Sequence, residues 1–147
     1  MAATHSVKTC VFCQIVNGAV PAAIVFEDEE SLAFLDHRPL FPGHSLLIPK
    51  RHLDSLVDVE PPLVGKLFAN ARLLALAMEM GFGAEGAFLA LNNRVSQSVP
   101  HLHVHVVPRT KGDGLKGFFW PRHKYRDPKH LEEVRRAFTE AISALRA

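Results

Sequence analysis

The 147-residue chain lacks several features that would assign it to a class at once. No apolar run approaches the ~20 residues that a membrane-spanning helix needs. The N-terminal stretch has no basic segment followed by an apolar run, so it does not resemble a secretory signal peptide. No Gly-rich phosphate loop is present, which excludes a P-loop nucleotide-binding protein. We therefore expect a single cytoplasmic domain with no membrane partner.

Cysteine is also scarce, with only Cys10 and Cys13, in the stretch "CVFC". In a cytosolic chain this spacing indicates a metal half-site or a redox pair. A thioredoxin-like redox pair would follow a strand and open a helix, whereas this pair lies near the N-terminus. The spacing therefore favours half of a zinc site, whose other ligands must come from elsewhere in the chain.

The net charge of +2 is unevenly distributed. Residues 109–130 contain seven Lys and Arg against two Asp, a local net charge of +5 that leaves −3 for the rest of the chain. A basic segment that directly follows a group of histidines suggests an anionic, phosphorylated ligand. A solvated basic surface explains the same pattern, so both interpretations stay open.

The hydrophobic pattern predicts an α+β fold of five strands and two main helices. The strands are predicted at 21–28, 31–39, 43–50, 86–93 and 101–108, the helices at 60–81 and 128–145, and a short helical turn at 10–18. Hairpin spacing favours a mostly antiparallel meander sheet. Leu63, Leu67, Phe68, Leu74 and Met78 are predicted to form the inner face of the first main helix, which would end at Gly81. Residues 1–147 are expected to form one domain, with a core at about 10–109 and an irregular basic and aromatic tail at 110–127.

The most unusual stretch is "HLHVHVVPR", in which His101, His103 and His105 alternate with apolar residues. In a strand, alternate side chains share one face, so the three imidazoles would face one way and the apolar side chains would pack into the core. Three explanations compete. The histidines could be an inconsequential surface row, they could bind a metal, or a neutral imidazole among them could act as a nucleophile.

Polar residues elsewhere favour a functional role for this stretch. Gln97 and Ser98 directly precede it, Asn92 and Asn93 end the preceding predicted strand, and His44 begins the third strand. Amide and hydroxyl groups are donors that a phosphate site needs. Each residue alone is typical of a turn, but together they indicate a site.

The pattern H-φ-H-φ-H-φ-φ, in which φ is apolar, resembles the signature of the histidine triad (HIT) family of nucleotide hydrolases and nucleotidyl transferases. The resemblance covers roughly residues 10–109 and includes "CVFCQIVNGAVPAAIVFEDEESLAFLD", "PGHSLLIPKRH" and "QSVPHLHVHVVPR". It implies a HIT-like fold and a homodimer whose sheets join. It also implies that His103 attacks the α-phosphorus of an adenosine-type nucleotide and forms a nucleotidyl-imidazole intermediate, which water or another acceptor then resolves.

The same resemblance implies roles for other residues. His105 and His44 would position the phosphate or orient the nucleophile, and Gln97 and Ser98 would contact the phosphate and the leaving group. The implied nucleotide contacts are Asp36 to the ribose, Phe12, Ile15 and Phe34 around the base, His37 at a position that is often aliphatic, and either Asn92 or Asn93.

Metal-bearing HIT members and the related galactose-1-phosphate uridylyltransferases join a CxxC pair to two histidines. The matching positions here are Cys10, Cys13, His52 and His101. Such a set implies tetrahedral zinc, and the zinc would be structural because four protein ligands leave no place for water.

Three function classes follow. The first is an enzyme on small nucleotides, either dinucleoside polyphosphates or nucleoside phosphoramidates. The second is a nucleic-acid 5′-end deadenylating enzyme, in which the basic tail contacts a strand end; the small local charge surplus makes nucleic acid a weaker partner. The third is a non-catalytic nucleotide-binding scaffold, against which the intact triad argues. The segment 112–126, with Phe118, Phe119, Trp120 and Tyr125, is expected to pack across a dimer, to cover the nucleotide site or to pack beneath a loop.

Overall fold

The structure is a computed structural model that describes residues 7–115 and 122–147. It divides into two units, Met1–Asp113 and Gly114–Ala147. The first unit contains α1 (Val11–Val16), β1 (Ile24–Glu27), β2 (Ser31–Leu35), β3 (Ser45–Pro49), a 3₁₀ turn (Leu56–Asp58), α2 (Pro61–Phe82), β4 (Gly86–Ala90) and β5 (Val104–Arg109). The second unit contains α3 (Pro128–Arg146). The predicted α+β class, with five antiparallel strands and two main helices, is confirmed.

The strand order, β1-β2-β3-β5-β4, departs from that of a simple meander. The 22-residue helix α2 follows β3, and β4 then lies at the edge of the sheet. The chain returns through β5, which pairs with both β3 and β4. A central position suits β5 because Val106 and Val107 are fully buried on its two faces. The pairing sets Leu46 of β3 opposite His105, which brings the start of β3 next to the histidines.

The two faces of the sheet are covered by different elements. On one face, α2 packs its buried side chains Leu67, Ala71, Leu74 and Met78 against a core that includes Leu102, Val104 and Val106. On the other face, α1 packs its buried residues against alternate side chains of β2 and β3, among them Leu32, Phe34, Leu46 and Ile48. This period of two directs alternate side chains of each strand to opposite faces, so each face has its own apolar core.

Helix α2 differs from the prediction in two details. It continues past Gly81 to Phe82, and Gly83 ends it with a left-handed φ of 66° while donating its N–H to the Glu79 carbonyl. Glycine adopts this conformation without steric cost. Phe68 was expected on the inner face but is 42% exposed. Neighbouring positions on a helix are about 100° apart, so with Leu67 facing the core, Phe68 faces outward.

The histidine stretch also differs from the prediction of a strand over residues 101–108. The strand begins only at Val104, so His101 and His103 precede the ladder. Other backbone hydrogen bonds hold this segment: the N–H of His101 donates to the Val99 carbonyl at 2.8 Å, and the N–H of Leu102 donates to the Leu53 carbonyl at 2.7 Å.

In the second unit, the Asp127 side chain caps α3 by accepting the N–H of His130 at 2.7 Å. Its apolar side chains Leu131, Val134, Phe138 and Ile142 are exposed and recur at helical spacing. Tyr125 is exposed and contacts the His130 ring, whereas Phe118, Phe119 and Trp120 lie outside the described residues. Among the helices of the described ranges, none is long and apolar enough to cross a membrane.

Candidate active site and metal centre

His44 and His105 form a directed hydrogen bond where β3 and β5 pair. The Leu40 N–H donates to Nδ1 of His44 at 3.0 Å, so in the neutral ring the proton lies on Nε2. That Nε2 lies 2.9 Å from Nδ1 of His105 and donates to it. His105 therefore carries its own proton on Nε2, which makes that atom a hydrogen-bond donor.

The electrostatic surroundings keep both rings neutral. Burial, together with the neighbouring His103 and His44, lowers the pKa of His105 to about 4, while Asp36 opposes the shift. Burial likewise lowers the pKa of His44, again opposed by Asp36. At neutral pH the tautomer assignment above therefore holds for both side chains.

His103 has the opposite tautomer. Its Nδ1 lies 2.8 Å from the backbone carbonyl of His101, and a carbonyl oxygen can only accept. Nδ1 therefore carries the proton, and in the neutral ring Nε2 keeps its lone pair. The side chain is 5% exposed, and its ring centroid lies 5.1 Å from that of His105. An imidazole nitrogen with a free lone pair beside a donor is suited to nucleophilic attack.

Phe12 of α1 holds the plane of the His103 ring. The two rings meet edge to face with centroids 5.2 Å apart. The same phenyl ring contacts His101 at 5.8 Å and Phe34 at 5.4 Å, again edge to face. Such pairs stabilise a defined ring orientation by about 0.5–1.5 kcal/mol beyond their buried area.

A cavity of about 740 Å³ opens beside these rings. His103, His105 and Ser98 line one part, and the apolar remainder includes Phe12, Ile15, Val20, Pro21, Ala22 and Phe34. Asp36 and His37 also line it; Asp36 accepts the Arg38 N–H at 2.9 Å, and the His37 side chain is 90% exposed. The volume lies within the range of sites for small molecules and cofactors.

Four ligand-type side chains meet at the other end of the histidine stretch. The Sγ atoms of Cys10 and Cys13 and the ring nitrogens of His52 and His101 all lie within 4.8 Å of one another. Cys10 Sγ is 3.4 Å from His101 Nδ1, and Cys13 Sγ is 3.2 Å from His52 Nδ1. Both cysteines and His101 are buried.

The two histidines of this cluster direct their lone pairs toward the sulfurs. His101 Nε2 donates to the Pro49 carbonyl at 2.8 Å, and His52 Nε2 lies 2.8 Å from a carboxylate oxygen of Asp54. Each Nδ1 is therefore free to bind a cation, and the partner on Nε2 orients the ring, as in known histidine ligands. The residues fit a tetrahedral zinc ion.

The ionisation of these groups also fits a cation. Burial, together with the hydrogen bond and the charge of Cys10, raises the pKa of Cys13 to about 11. Burial lowers the pKa of His101 to about 4, so its ring is neutral at pH 7. A divalent cation would offset the cost of a buried thiolate, and a neutral imidazole is the form that binds metal.

Comparison with known proteins agrees with this geometry. A model of the HIT domain matches residues 17–112. "Protein hit" of Bacillus subtilis is 34% identical over 145 residues, which cover 95% of this chain and 99% of that protein. The chain belongs to the HIT family, whose members are nucleotide-binding hydrolases and transferases.

Two further HIT proteins bear on the site. A zinc-bound histidine triad protein from Mycobacterium smegmatis has a TM-score of 0.72 and 37% identity, covering 95% of this chain and 99% of that one. "Adenylylsulfatase HINT3" of Arabidopsis thaliana is 32% identical over 139 residues, covering 93% of this chain and 68% of that protein.

The loop before the HIT histidines is arranged differently from the sequence expectation. Gln97 does not line the cavity that holds His103. Its Nε2 donates to the carbonyls of Asp54 and Val99, and its Oε1 accepts the Arg94 N–H at 2.8 Å. Gln97 thereby ties the loop to the segment after His52. Its proposed contact with substrate requires the amide to turn.

The two asparagines of this loop, Asn92 and Asn93, also do not line the cavity. Asn93 Oδ1 accepts the Leu56 N–H at 2.8 Å, so Asn93 holds the 3₁₀ turn, and Asn92 is exposed. Arg94 and Ser96 adopt left-handed φ angles of 72° and 59°, which are uncommon for residues other than glycine. Side-chain contacts to backbone thus shape this loop, and residue types alone do not reveal them.

A second cluster with metal-binding side chains contains Asp36, His44 and His105, and two of these, Asp36 and His105, line the cavity beside His103. Its hydrogen bonds argue against a cation. His44 Nε2 could bind a metal only if the proton moved to Nδ1, where it would oppose the Leu40 N–H. We interpret this cluster as the hydrogen-bonded support of His105.

Proposed function

We propose that this chain acts at the α-phosphate of an adenosine-type nucleotide through a covalent nucleotidyl intermediate on His103. The observation that carries the proposal is the tautomer of His103: its Nδ1–H is held by the His101 carbonyl at 2.8 Å, and Nε2 keeps the lone pair beside a nucleotide-sized cavity.

In the proposed reaction, Nε2 of His103 forms a bond to phosphorus while the bond from phosphorus to the leaving group breaks. The leaving group departs with the bonding electrons and takes a proton from solvent. Water then attacks the same phosphorus and loses a proton to solvent, the P–N bond breaks with its electrons returning to Nε2, and the nucleoside monophosphate is released. Another acceptor in place of water would leave with the nucleotidyl group. Two steps with a good leaving group replace one difficult step. The Nε2–H of His105 and the hydroxyl of Ser98 would donate to phosphate oxygens as charge develops on them.

The rest of the cavity suits a nucleoside. We propose that Phe12, Ile15 and Phe34 contact the base and that Asp36 accepts a ribose hydroxyl, with His37 at the exposed rim. The base end has apolar walls, which supports binding by packing rather than by hydrogen bonds to base edges. The relative named an adenylylsulfatase supports an adenylyl group as the part that is transferred.

We propose that Cys10, Cys13, His52 and His101 hold a structural zinc ion. It would tie α1 to the segments that follow β3 and precede β5. The reducing cytoplasm, where we place the protein, keeps such thiols available for a metal.

We also propose a homodimer whose sheets join at β4. This strand, Gly86–Ala90, is at the sheet edge and carries no charged residue. Protein sheets usually protect such edges with charge or proline. The outward side of α2 adds exposed apolar side chains, namely Phe68, Leu73, Leu76 and Met80. An edge strand without charge beside an apolar helix surface supports a two-fold contact between copies.

A turnover panel tests the reaction. The substrates are an adenosine phosphoramidate, a set of diadenosine polyphosphates and an adenylated DNA nick, each given to wild type, His103→Ala and the control His123→Ala, which alters an exposed histidine of the second unit. We expect turnover of a small nucleotide and one nucleotidyl group on wild-type protein after rapid quenching. His103→Ala should lose both by a factor of about 10³ or more.

Full turnover by His103→Ala would exclude this nucleophile. Turnover of the nick alone would support the nucleic-acid deadenylating alternative. Nucleotide binding without turnover of any substrate would support a scaffold.

A further inference from the structure

We propose that metal binding at Cys10, Cys13, His52 and His101 sets the orientation of His103, and that Phe12 is the positioning residue that transmits it. The inference rests on the proposed nucleophilic role of His103. It goes further by making nucleophile orientation and nucleotide affinity depend on the metal centre.

The hydrogen-bonded ladder of the sheet does not include His103. The ladder of β5 begins at Val104, so His103 lies one residue outside it. The preceding segment is tied by the N–H of Leu102 to the Leu53 carbonyl and by the side chain of His101 to the Pro49 carbonyl. The position of His103 therefore depends on two ties of the preceding segment, and one of them is the His101 side chain.

His101 belongs both to the metal centre and to the site of the nucleophile. Its Nδ1 lies 3.4 Å from Cys10 Sγ and 3.5 Å from Cys13 Sγ, while its backbone carbonyl accepts Nδ1–H of His103 at 2.8 Å. A cation bound by that imidazole fixes the residue whose carbonyl sets the tautomer of the nucleophile. Without the cation, the ring keeps its hydrogen bond to the Pro49 carbonyl, its edge-to-face contacts with Phe12 and His52, and weak contacts to the thiols, and it loses the bond that would fix Nδ1.

Phe12 lies in the chain between Cys10 and Cys13, the two cysteines of the metal centre. Its ring contacts the ligand His101 at 5.8 Å and the nucleophile His103 at 5.2 Å. Its helix α1 has six residues, too few to be stable in isolation. A cation bound to Cys10 and Cys13 would therefore fix the phenyl ring against His103.

A further contact extends the metal centre to the loop that carries Ser98. The Asp54 carboxylate accepts from His52 at 2.8 Å, and the Asp54 carbonyl accepts from Gln97. The ligand His101 thus contacts Phe12 and the nucleophile His103, and the ligand His52 is connected through Asp54 to the loop that carries Ser98. The larger core beneath α2 contains none of these ligands, so loss of metal should disturb the cavity more than the sheet.

The first experiment compares zinc-loaded, zinc-stripped and reloaded protein at one fixed pH. AMP binding is measured by calorimetry, and the ¹⁵N signals of the His103 ring are recorded by NMR. We expect removal of zinc to weaken AMP binding at least tenfold and to average the His103 signals between tautomers, and reloading to restore both. Unchanged AMP affinity and unchanged ring signals in a stripped, folded protein would overturn the inference.

The second experiment separates positioning from base contact and decides the matter even if stripped protein unfolds. Phe12→Leu is compared with Phe34→Leu, because both side chains line the cavity and the Phe12 ring contacts His103. We expect both variants to keep one zinc per chain. Loss of a base contact raises KM, whereas loss of nucleophile orientation lowers kcat.

Phe12→Leu should therefore lower kcat by about 10- to 100-fold, Phe34→Leu should mainly raise KM, and Phe12→Tyr should restore kcat. If Phe12→Leu changes KM alone, as Phe34→Leu does, Phe12 is a base contact and the inference is wrong. The two proposals can fail separately. Wild type without turnover, but with zinc-dependent His103 signals, would reject the proposed function and leave the coupling intact.

Discussion

Nε2 of His44 donates a hydrogen bond to Nδ1 of His105 across 2.9 Å, and its direction is set by a backbone group. The Leu40 N–H occupies Nδ1 of His44, so the His44 proton can lie only on Nε2 while the ring is neutral. His105 must then keep its proton on the atom that is free to donate to a ligand. A buried histidine thus prepares a neighbouring one as a donor.

Replacing His44 should remove the hydrogen bond that fixes the tautomer of His105. In His44→Ala, Nδ1 of His105 loses its donor and the ring can adopt either tautomer, so the donor to the phosphate is present only part of the time. We expect kcat to fall by about 10- to 100-fold, less than the roughly 100- to 1,000-fold cost of removing such a donor outright, because one tautomer still donates. Steady-state kinetics on the best small substrate measures this, with His123→Ala as the matched control. An unchanged kcat would show that the His44 bond has no role in turnover.

The lowered pKa of His105 predicts how stability depends on pH. The unfolded ring binds a proton near pH 6.5, whereas the folded ring does so only near pH 4. Between these values the unfolded state binds more protons, so this contribution to stability is complete above pH 6.5 and is lost as the pH falls toward 4. The groups that face His105 are His103, His44 and Asp36.

Urea unfolding of wild type and His105→Gln at pH 7.5 and pH 5 measures that contribution. We expect the free energy of unfolding to decrease on acidification by about 1–3 kcal/mol more in wild type than in the variant. Any effect of acid on the metal centre is common to both proteins. Equal pH dependence in the two would contradict the lowered pKa.

Zinc should stabilise the fold by mass action. At free zinc about 100 to 1,000 times its dissociation constant, the added stability is about 3–4 kcal/mol. We expect Cys13→Ser to lose most of this increment, because it removes a buried ligand. Thermal unfolding with and without added zinc, together with elemental analysis, measures it. Without zinc, wild type and variant should unfold at similar temperatures; a gap of the same size with and without zinc would argue against a metal role for Cys13.

Charge on the β4 edge should separate the proposed dimer. Leu89 is 39% exposed on β4, and Val25 is 50% exposed on β1, the opposite edge of the sheet. We expect Leu89→Lys to shift the mass in solution from dimer to monomer, because a buried lysine without a partner is costly. Val25→Lys should leave the mass unchanged. Light scattering coupled to size-exclusion chromatography measures the mass of both variants. A dimer that persists in Leu89→Lys would place the contact elsewhere.

Local patterns in the sequence predicted much of this structure. The spacing of apolar residues indicated α2, the turn residues bounded the strands, and alternation placed Leu102, Val104 and Val106 in the core. These features are local, because they arise from the 3.6-residue and two-residue periods of a single segment. The family resemblance added the residues of the cavity and of the cysteine–histidine cluster, which the structure brings together from distant parts of the chain.

Tertiary structure alone decided the rest. The insertion of β5 between β3 and β4, the outward turn of Gln97 and the exposure of Phe68 depend on contacts between remote segments. The proton positions on the histidines also depend on contacts between remote segments. They are set by the Leu40 N–H and by the carbonyls of His101 and Pro49. Every residue type supplies a backbone carbonyl, and every type except proline supplies an N–H. Sequence could therefore name the three histidines, but only the folded backbone places the proton on Nδ1 of His103 and on Nε2 of His101 and His105.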